Sequence, residues 1–323
     1  MTTSASLQEG GVPSARTSWP ATVAWVALAA ALLAVPLLGE PYYTKLVARF
    51  AIFAIVAVGL DLVVGYAGLM SLGQAAFFGI GVYATGWLAQ SGVQQAWVVV
   101  PTSMLVAASC ALLTGSVALR ARGLNFIFIT LAFAQMFFFL ASGLQRFGGD
   151  DGVRLPLPTL LVGSLRLTDP VLLAYSCLAV LLLVTLGARR LMRSHFGRVV
   201  IGARDNEQRL AAVGLPAYPY HLALYAVAAA LAAVGGVLYA NLTEFVSPST
   251  LSWTLSGEFL FMVILGGAAT LIGPVLGALV FVGLELVLSS WTEHWALPLG
   301  LLLVARVLFL DRGLIGLLRR RGE

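Results

Sequence analysis

The chain has 323 residues, of which 60% are hydrophobic and only 10% charged, against the ~25% charged residues of an ordinary soluble domain. That balance excludes a soluble fold and defines an integral membrane protein. The net charge of +5 does not point to nucleic acid, because the arginines fall between apolar runs and at the C-terminus.

The apolar runs approach or exceed the ~20 residues of a spanning helix and lack the short alternation of a membrane barrel. Residues 1–20 are polar and read as a cytoplasmic tail. The run 21–38 follows a long polar lead with no clear cleavage site, so it reads as an uncleaved span and not a signal peptide. A second span covers 47–64, with Asp61 near its far end. Residues 65–88 are apolar but interrupted by Gly65, Gly68, Gly73, Gly79, Gly81 and Gly86, and they carry Ser71 and Gln74. Glycines let helices approach closely, and they also permit an unwound stretch whose backbone lines a cavity. A broken or tightly packed third span is expected.

Spans 96–119 and 124–140 flank Arg120 and Arg122. Asn125 stands near the start of the second and Gln135 inside it. An amide in a span needs a partner, either a neighbouring helix or a polar solute on its way through. In the loop 141–169 the GGDDG cluster has turn chemistry and too few oxygens at set spacing for calcium. A sixth span covers 170–186.

The most charged stretch is 189–215, RRLMRSHFGRVVIGARDNEQRLAAVGL. An arginine-rich segment between spans is retained on the cytoplasmic side. Its second half reads as a short helix, started by Asp205 or Asn206, with Leu210 and Val213 on an apolar face, and ended by Gly214 before Pro216. Such a helix suits either partner docking or a solvated loop that only fixes topology.

The seventh span is 221–239, and 257–288 divides at Gly273–Pro274 into two more. The tenth, 295–310, carries Arg306, and 311–323 is a basic tail. Ten spans put both termini on one side; with that side inside, about 13 of the 19 Lys and Arg are cytoplasmic. The segments AGLMSLGQAAFFG and GGAATLIGPVLG share spaced glycines, a hint of an internal repeat of the transporter kind.

Lys45 is the only lysine and lies in no glycine-rich loop, so a phosphate-binding GxxxxGK[ST] loop is impossible in this sequence. Any ATP used is hydrolysed by another chain. Cys110 and Cys177 sit in apolar runs as packing residues, and His195, His221 and His294 are scattered, so no metal, cofactor or catalytic constellation is expected. On residues alone two classes stay open: a permease driven by a separate ATPase, and an ion-gradient-driven transporter using Asp61, Glu258, Glu285 or Arg306.

Five stretches narrow this. GLDLVVGYAGLMSLGQAAFFGIGVYATG, GLNFIFITLAFAQMFF, the GGDDG loop, SHFGRVVIGARDNEQRLAAVG and MVILGGAATLIGPVLGA stand in one order. Together they resemble LivM-type permeases of branched-chain amino acid ABC importers, a family with close urea and amide relatives. The resemblance covers about 47–310. It implies an all-α fold of about ten transmembrane helices, some broken or re-entrant, shared with the LivH and ribose permeases. It implies a LivH-type second permease, two cytoplasmic ATPase subunits, a periplasmic or lipid-anchored substrate-binding protein and a bacterial inner membrane, with no nucleic acid. It places 189–215 as the ATPase-coupling loop, with Arg204, Asp205, Asn206, Glu207, Ala211 and Gly214 as coupling residues. No Glu directly precedes the Ala211–Ala212 pair, a departure from the usual importer coupling motif. Gly68, Ser71, Gly73, Gln74, Asn125 and Gln135 are the expected lining of the translocation pathway.

Overall fold

The computed structural model describes residues 32–38, 40–121, 123–161, 166–291, 294 and 296–309. The expected tails 1–20 and 311–323, most of the first expected span, Arg122 and the Arg306 side chain lie outside the described residues.

Helix α1 (Pro41–Asp61) opens with proline at its first position, where the missing N–H is an orphan in any case. It runs on through a single wide turn, Leu62–Tyr66. The expected third span does not continue from it. Residues 67–73 leave the helix, and α2 (Gln74–Gln90) begins afresh. Helices α3 (Ala96–Ala118), α4 (Leu124–Ser142) and α5 (Pro170–Arg193) follow. The expected loop is largely helical, as α6 (His195–Asp205) and α7 (Glu207–Ala212). Then come α8 (Ala217–Thr243), α9 (Trp253–Gly266), α10 (Ile272–Trp291) and α11 (Ala296–Phe309). The GGDDG cluster turns as expected, and the strand after it, Val153–Arg154, pairs antiparallel with Phe245–Val246.

The predicted division at Gly273–Pro274 is displaced. The helices separate at 267–271, and Gly273 and Pro274 lie in the first turn of α10, where proline is tolerated. Gly267, Ala269 and Leu271 all take positive φ, a conformation that ends a helix and is costly for the two non-glycines.

Among the described residues, α1 with its wide turn, α3, α4, α5, α8 and α10 are long and apolar enough to cross a membrane. The 17 residues of α2 and the 14 of α9 reach only about 25 and 21 Å at 1.5 Å per residue, short of the ~30 Å hydrocarbon core. Both begin inside the bundle. The N–H of Ala75 donates to Ser256 Oγ at 2.9 Å, so the starts of the two short helices overlap at mid-depth.

Following the chain end to end reveals an inverted repeat. Helix α1 runs to the arginine-rich end of the bundle, 67–73 turns back inside, α2 runs to the other end, and α3 returns. Helix α8 runs away from the arginine-rich end, 244–252 turns back inside, α9 runs to that end, and α10 leaves it. Helix α1 packs against α9 and α10 as α8 packs against α2 and α3, and α1 and α8 pack on each other. The glycines allow this: a Cβ on Gly81 or Gly236 would strike the facing backbone of α8 or α2. The glycine-spaced echo in the sequence paired 67–79 with 266–277; topology instead pairs 67–90 with 244–266. In its apolar 18-residue stretch α1 is 94% buried and α8 61%, against 22% for α4, so α1 and α8 form the centre and α4 presents its sides to lipid or to another subunit.

Candidate functional site: an exposed helical segment and two broken spans

Helix α6 is held by its apolar face. Val199, Val200 and Ala203 are buried, and Val200 joins Val58 and Leu62 of α1, Met192 of α5, Leu224 of α8 and Leu271 in one cluster. Helix α7 is different, with no buried residue. Asn206 caps it by accepting from Arg209 N at 2.9 Å. At the other end Gly214, at φ 83°, donates to Ala211 O and Leu215 N to Leu210 O, a left-handed close that glycine permits without strain. Val213 is 74% exposed. The short helix predicted from sequence is therefore present, capped by Asn206 rather than Asp205, and displayed outward. Asp205, Glu207, Ala211 and Ala212 are exposed with it, and Glu207 lies within electrostatic reach of His221.

Arg204 is exposed as well, but its side chain reaches back to the bundle. Its guanidinium donates to the carbonyl of Gly65 in the wide turn of α1, and its stem covers Gly68. Beside it Asp61, fully buried, accepts from Ala269 N at 2.7 Å and Leu271 N at 3.2 Å. Gly65 is tight here, because a Cβ would meet Asp61 Oδ1 and Ala269 N.

The break at 67–73 is a neutral joint. A spanning backbone cannot leave its N–H groups unsatisfied, and side chains supply the missing acceptors. Leu72 N donates to Thr130 Oγ1 at 3.3 Å, Gly73 N to Ser71 Oγ at 3.2 Å, and Ala75 N to Ser256 Oγ. Gln74 Nε2 donates to Ala228 O at 3.1 Å. The Tyr225 hydroxyl meets Ser71 and Thr114. Ser71, Gly73 and Gln74, which sequence nominated for the pathway, come together in this joint, buried within the chain. The other three nominees are not buried with them. Gly68 is exposed near the arginine-rich end, Asn125 is exposed at the start of α4, and Gln135 is half-buried on α4.

The second joint, at 247–258, is charged. Ser252 caps α9 by accepting from Leu255 N, and Glu258 lies on its second turn. Arg49 of α1 donates to Glu285 of α10 at 2.8 Å and lies over the Phe53 ring at 5.2 Å. Glu258 feels both charges. Among the described residues Arg49 Nε and Glu285 Oε2 are buried without a hydrogen-bond partner. Sequence reading singled out the two glutamates and missed Arg49, as it missed Thr130, Tyr225 and Ser256. The available signal for Arg49 was a lone arginine inside an apolar run that also holds Asp61.

Short paired helices that start at mid-depth, within an inverted repeat of membrane-crossing helices, define a multi-pass all-α membrane protein of the transporter kind. The family model for the branched-chain amino acid transport system permease component matches residues 42–310, and the chain belongs to that family. It is 29% identical to the high-affinity branched-chain amino acid transport system permease protein LivM of Escherichia coli, over 83% of this chain and 68% of that protein. The like-named protein of Salmonella typhimurium is 30% identical over the same shares. A probable branched-chain amino acid transport permease protein LivM of Methanocaldococcus jannaschii is 31% identical over 40% of this chain and 37% of its own. No solved structure matches the chain.

Proposed function

We propose that this chain is one membrane subunit of an ATP-driven importer in a bacterial inner membrane, moving branched-chain amino acids. In this reading a second, homologous permease completes the translocation path, two ATPase subunits dock on α6 and α7, and a substrate-binding protein delivers cargo at the opposite end. The arginine-rich end and both termini are then cytoplasmic. The observation that carries the reading, beyond family membership, is α7: a helix capped at both ends, with no buried residue, raised from the bundle on a helix whose other face is locked into it. An isolated six-residue helix is unstable in water, so one capped twice and buried nowhere is built to meet a partner.

The pathway belongs to the same proposal. Ser71, Gly73 and Gln74 contribute by holding the neutral joint open to bending, while Gly68, Asn125 and Gln135 stand at faces a partner permease can complete. A gradient-driven mechanism has less to work with. Asp61 is held by two backbone N–H groups and Glu285 by Arg49.

Purification of the tagged chain from its native membrane in mild detergent, with partners identified by mass, tests this. An ATPase and a second permease should co-purify, and vesicles carrying the complex should take up leucine only with ATP. A chain recovered alone, with uptake that follows an ion gradient, would sink the reading. Urea or an amide competing better than leucine would move the cargo while leaving the machine in place.

A further inference from the structure

The side chains that meet at the arginine-rich end join three things: the coupling segment, the first broken span and the second. Arg204 closes α6. Its guanidinium holds Gly65 O at the last turn of α1, where the chain departs into 67–73 and then α2. Four residues before Gly65, Asp61 holds the N–H groups of Ala269 and Leu271, the connection at which α9 ends and α10 begins. Arg204 also lies within electrostatic reach of the Asp61 carboxylate. The segment that leads into α2 and the segment that leaves α9 are therefore fastened to one buried acid and one arginine.

Two further observations show that the fastening holds the backbone in place and does more than fill space. Ala269 and Leu271 have φ of 61° and 54°, a region that side-chain-bearing residues enter only under constraint, and they are the residues whose N–H groups Asp61 takes. Thr270 Oγ1 closes the same turn on itself, donating to Gly267 O at 2.6 Å and accepting from Gly273 N at 3.0 Å. The loop is thus rigid, and its only charged anchor among the hydrogen bonds seen is on another helix. On the coupling side, Val200 and Leu271 share one apolar cluster with Val58 and Leu62, so α6 cannot shift without pressing on the same loop.

We infer that Asp61 and Arg204 are positioning residues for energy coupling, forming a node that passes movement of the ATPase-facing helices to both broken spans at once. The inference rests on the importer reading. Neither residue touches cargo in it, and Asp61, fully buried, cannot contact an ATPase. Its role is separable from docking for that reason. Arg204 accordingly works inward, while the outward face of α7 does the docking.

The test uses the complete complex in liposomes, with leucine as cargo, reading ATP hydrolysed per leucine carried and ATPase co-purification. Asp61→Asn keeps the shape and one acceptor oxygen but loses the charge that holds both N–H groups and attracts Arg204. Its assembled complex should hydrolyse ATP within about twofold of the unaltered one while uptake falls about tenfold, the size of effect that residues along a coupling network produce. Arg204→Gln should raise the same ratio, and Arg204→Lys, which keeps a cationic donor, should restore part of it. An assembled Asp61→Asn complex with an unchanged ratio overturns the inference. If that variant does not assemble, Arg204→Gln decides on the same readout, and failure of both to assemble overturns it too, since the residues are then only structural. An unaltered complex with no ATP-dependent leucine uptake fails before any variant is made and removes the importer reading together with this node.

Discussion

The two joints occupy matching places in the inverted repeat and are built from opposite materials. Where α2 begins, neutral hydroxyls satisfy the interrupted backbone, the Gln74 amide reaches a carbonyl of α8, and Ser71, Gln74, Thr130 and Ser256 are all buried. Where α9 begins, the neighbouring helices bring an arginine and two glutamates, and the Arg49 side chain is 37% exposed. Arg49 is the ninth residue of α1 and Tyr225 the ninth of α8, so one repeat places a tyrosine where the other places a cation. A neutral joint closed on itself suits a hinge. A charged one, with unpartnered polar atoms on both Arg49 and Glu285, is costly in a membrane unless water, cargo or another subunit reaches it. Symmetry of fold thus does not carry symmetry of task.

The largest expected effect comes from unbalancing the charged joint. Arg49→Met leaves Glu258 and Glu285 facing each other without a cation, and should lower stability in detergent by about 1–3 kcal/mol, less than for a fully buried pair because solvent reaches the arginine. Adding Glu285→Gln should recover much of that loss. A melting series across the two single variants and the double variant reads the coupling directly. If Arg49→Met melts like the unaltered chain, the two joints are energetically equivalent.

The neutral joint gives a smaller and differently patterned loss. Ser256→Ala removes the acceptor of Ala75 N and should cost about 1–2 kcal/mol, the desolvation of one buried donor. Thr130→Val should cost about 1 kcal/mol, since its bond to Leu72 N is longer and that residue is not fully buried. Neither loss should be recovered by changing a charge elsewhere. Recovery of Ser256→Ala by Glu258→Gln would mean that the joints share one network.

These contrasts mark how far the sequence could be read. The class of fold was legible because spanning runs are one-dimensional: composition and length declare them. The exposed helix α7 was legible because its caps, Asn206 and Gly214, are local signals. The break near Gly68 was legible as glycine spacing, though its length was not, because the residues that satisfy it, Thr130 and Ser256, lie 58 and 181 positions from their donors. The second break was placed at Gly273–Pro274, the strongest local breaker, while the chain turns at 267–271 under the hold of Asp61 from 208 positions away. The pathway residues were chosen for polarity in an apolar context. That signal cannot separate a side chain that lines a route from one that packs a broken span, and in this fold Ser71 accepts from Gly73 N while Gln74 donates to Ala228 O of α8.

The smallest effects belong to α7, and they bear on whether the neutral joint is driven from outside. Asn206→Ala removes the N-cap and should destabilise the helix by about 1 kcal/mol. Gly214→Ala, at φ 83°, should cost about as much through backbone strain. Because α7 buries no residue in this chain, neither change should move the melting temperature of the isolated subunit. Each should instead speed amide exchange in α7 several-fold and weaken retention of the ATPase, and the two losses should disappear together once the ATPase is bound in excess. A cap variant that lowers subunit stability would show that α7 is part of the bundle after all. One that speeds exchange without weakening ATPase retention would leave α6 as the docking surface and Arg204 as its inward end.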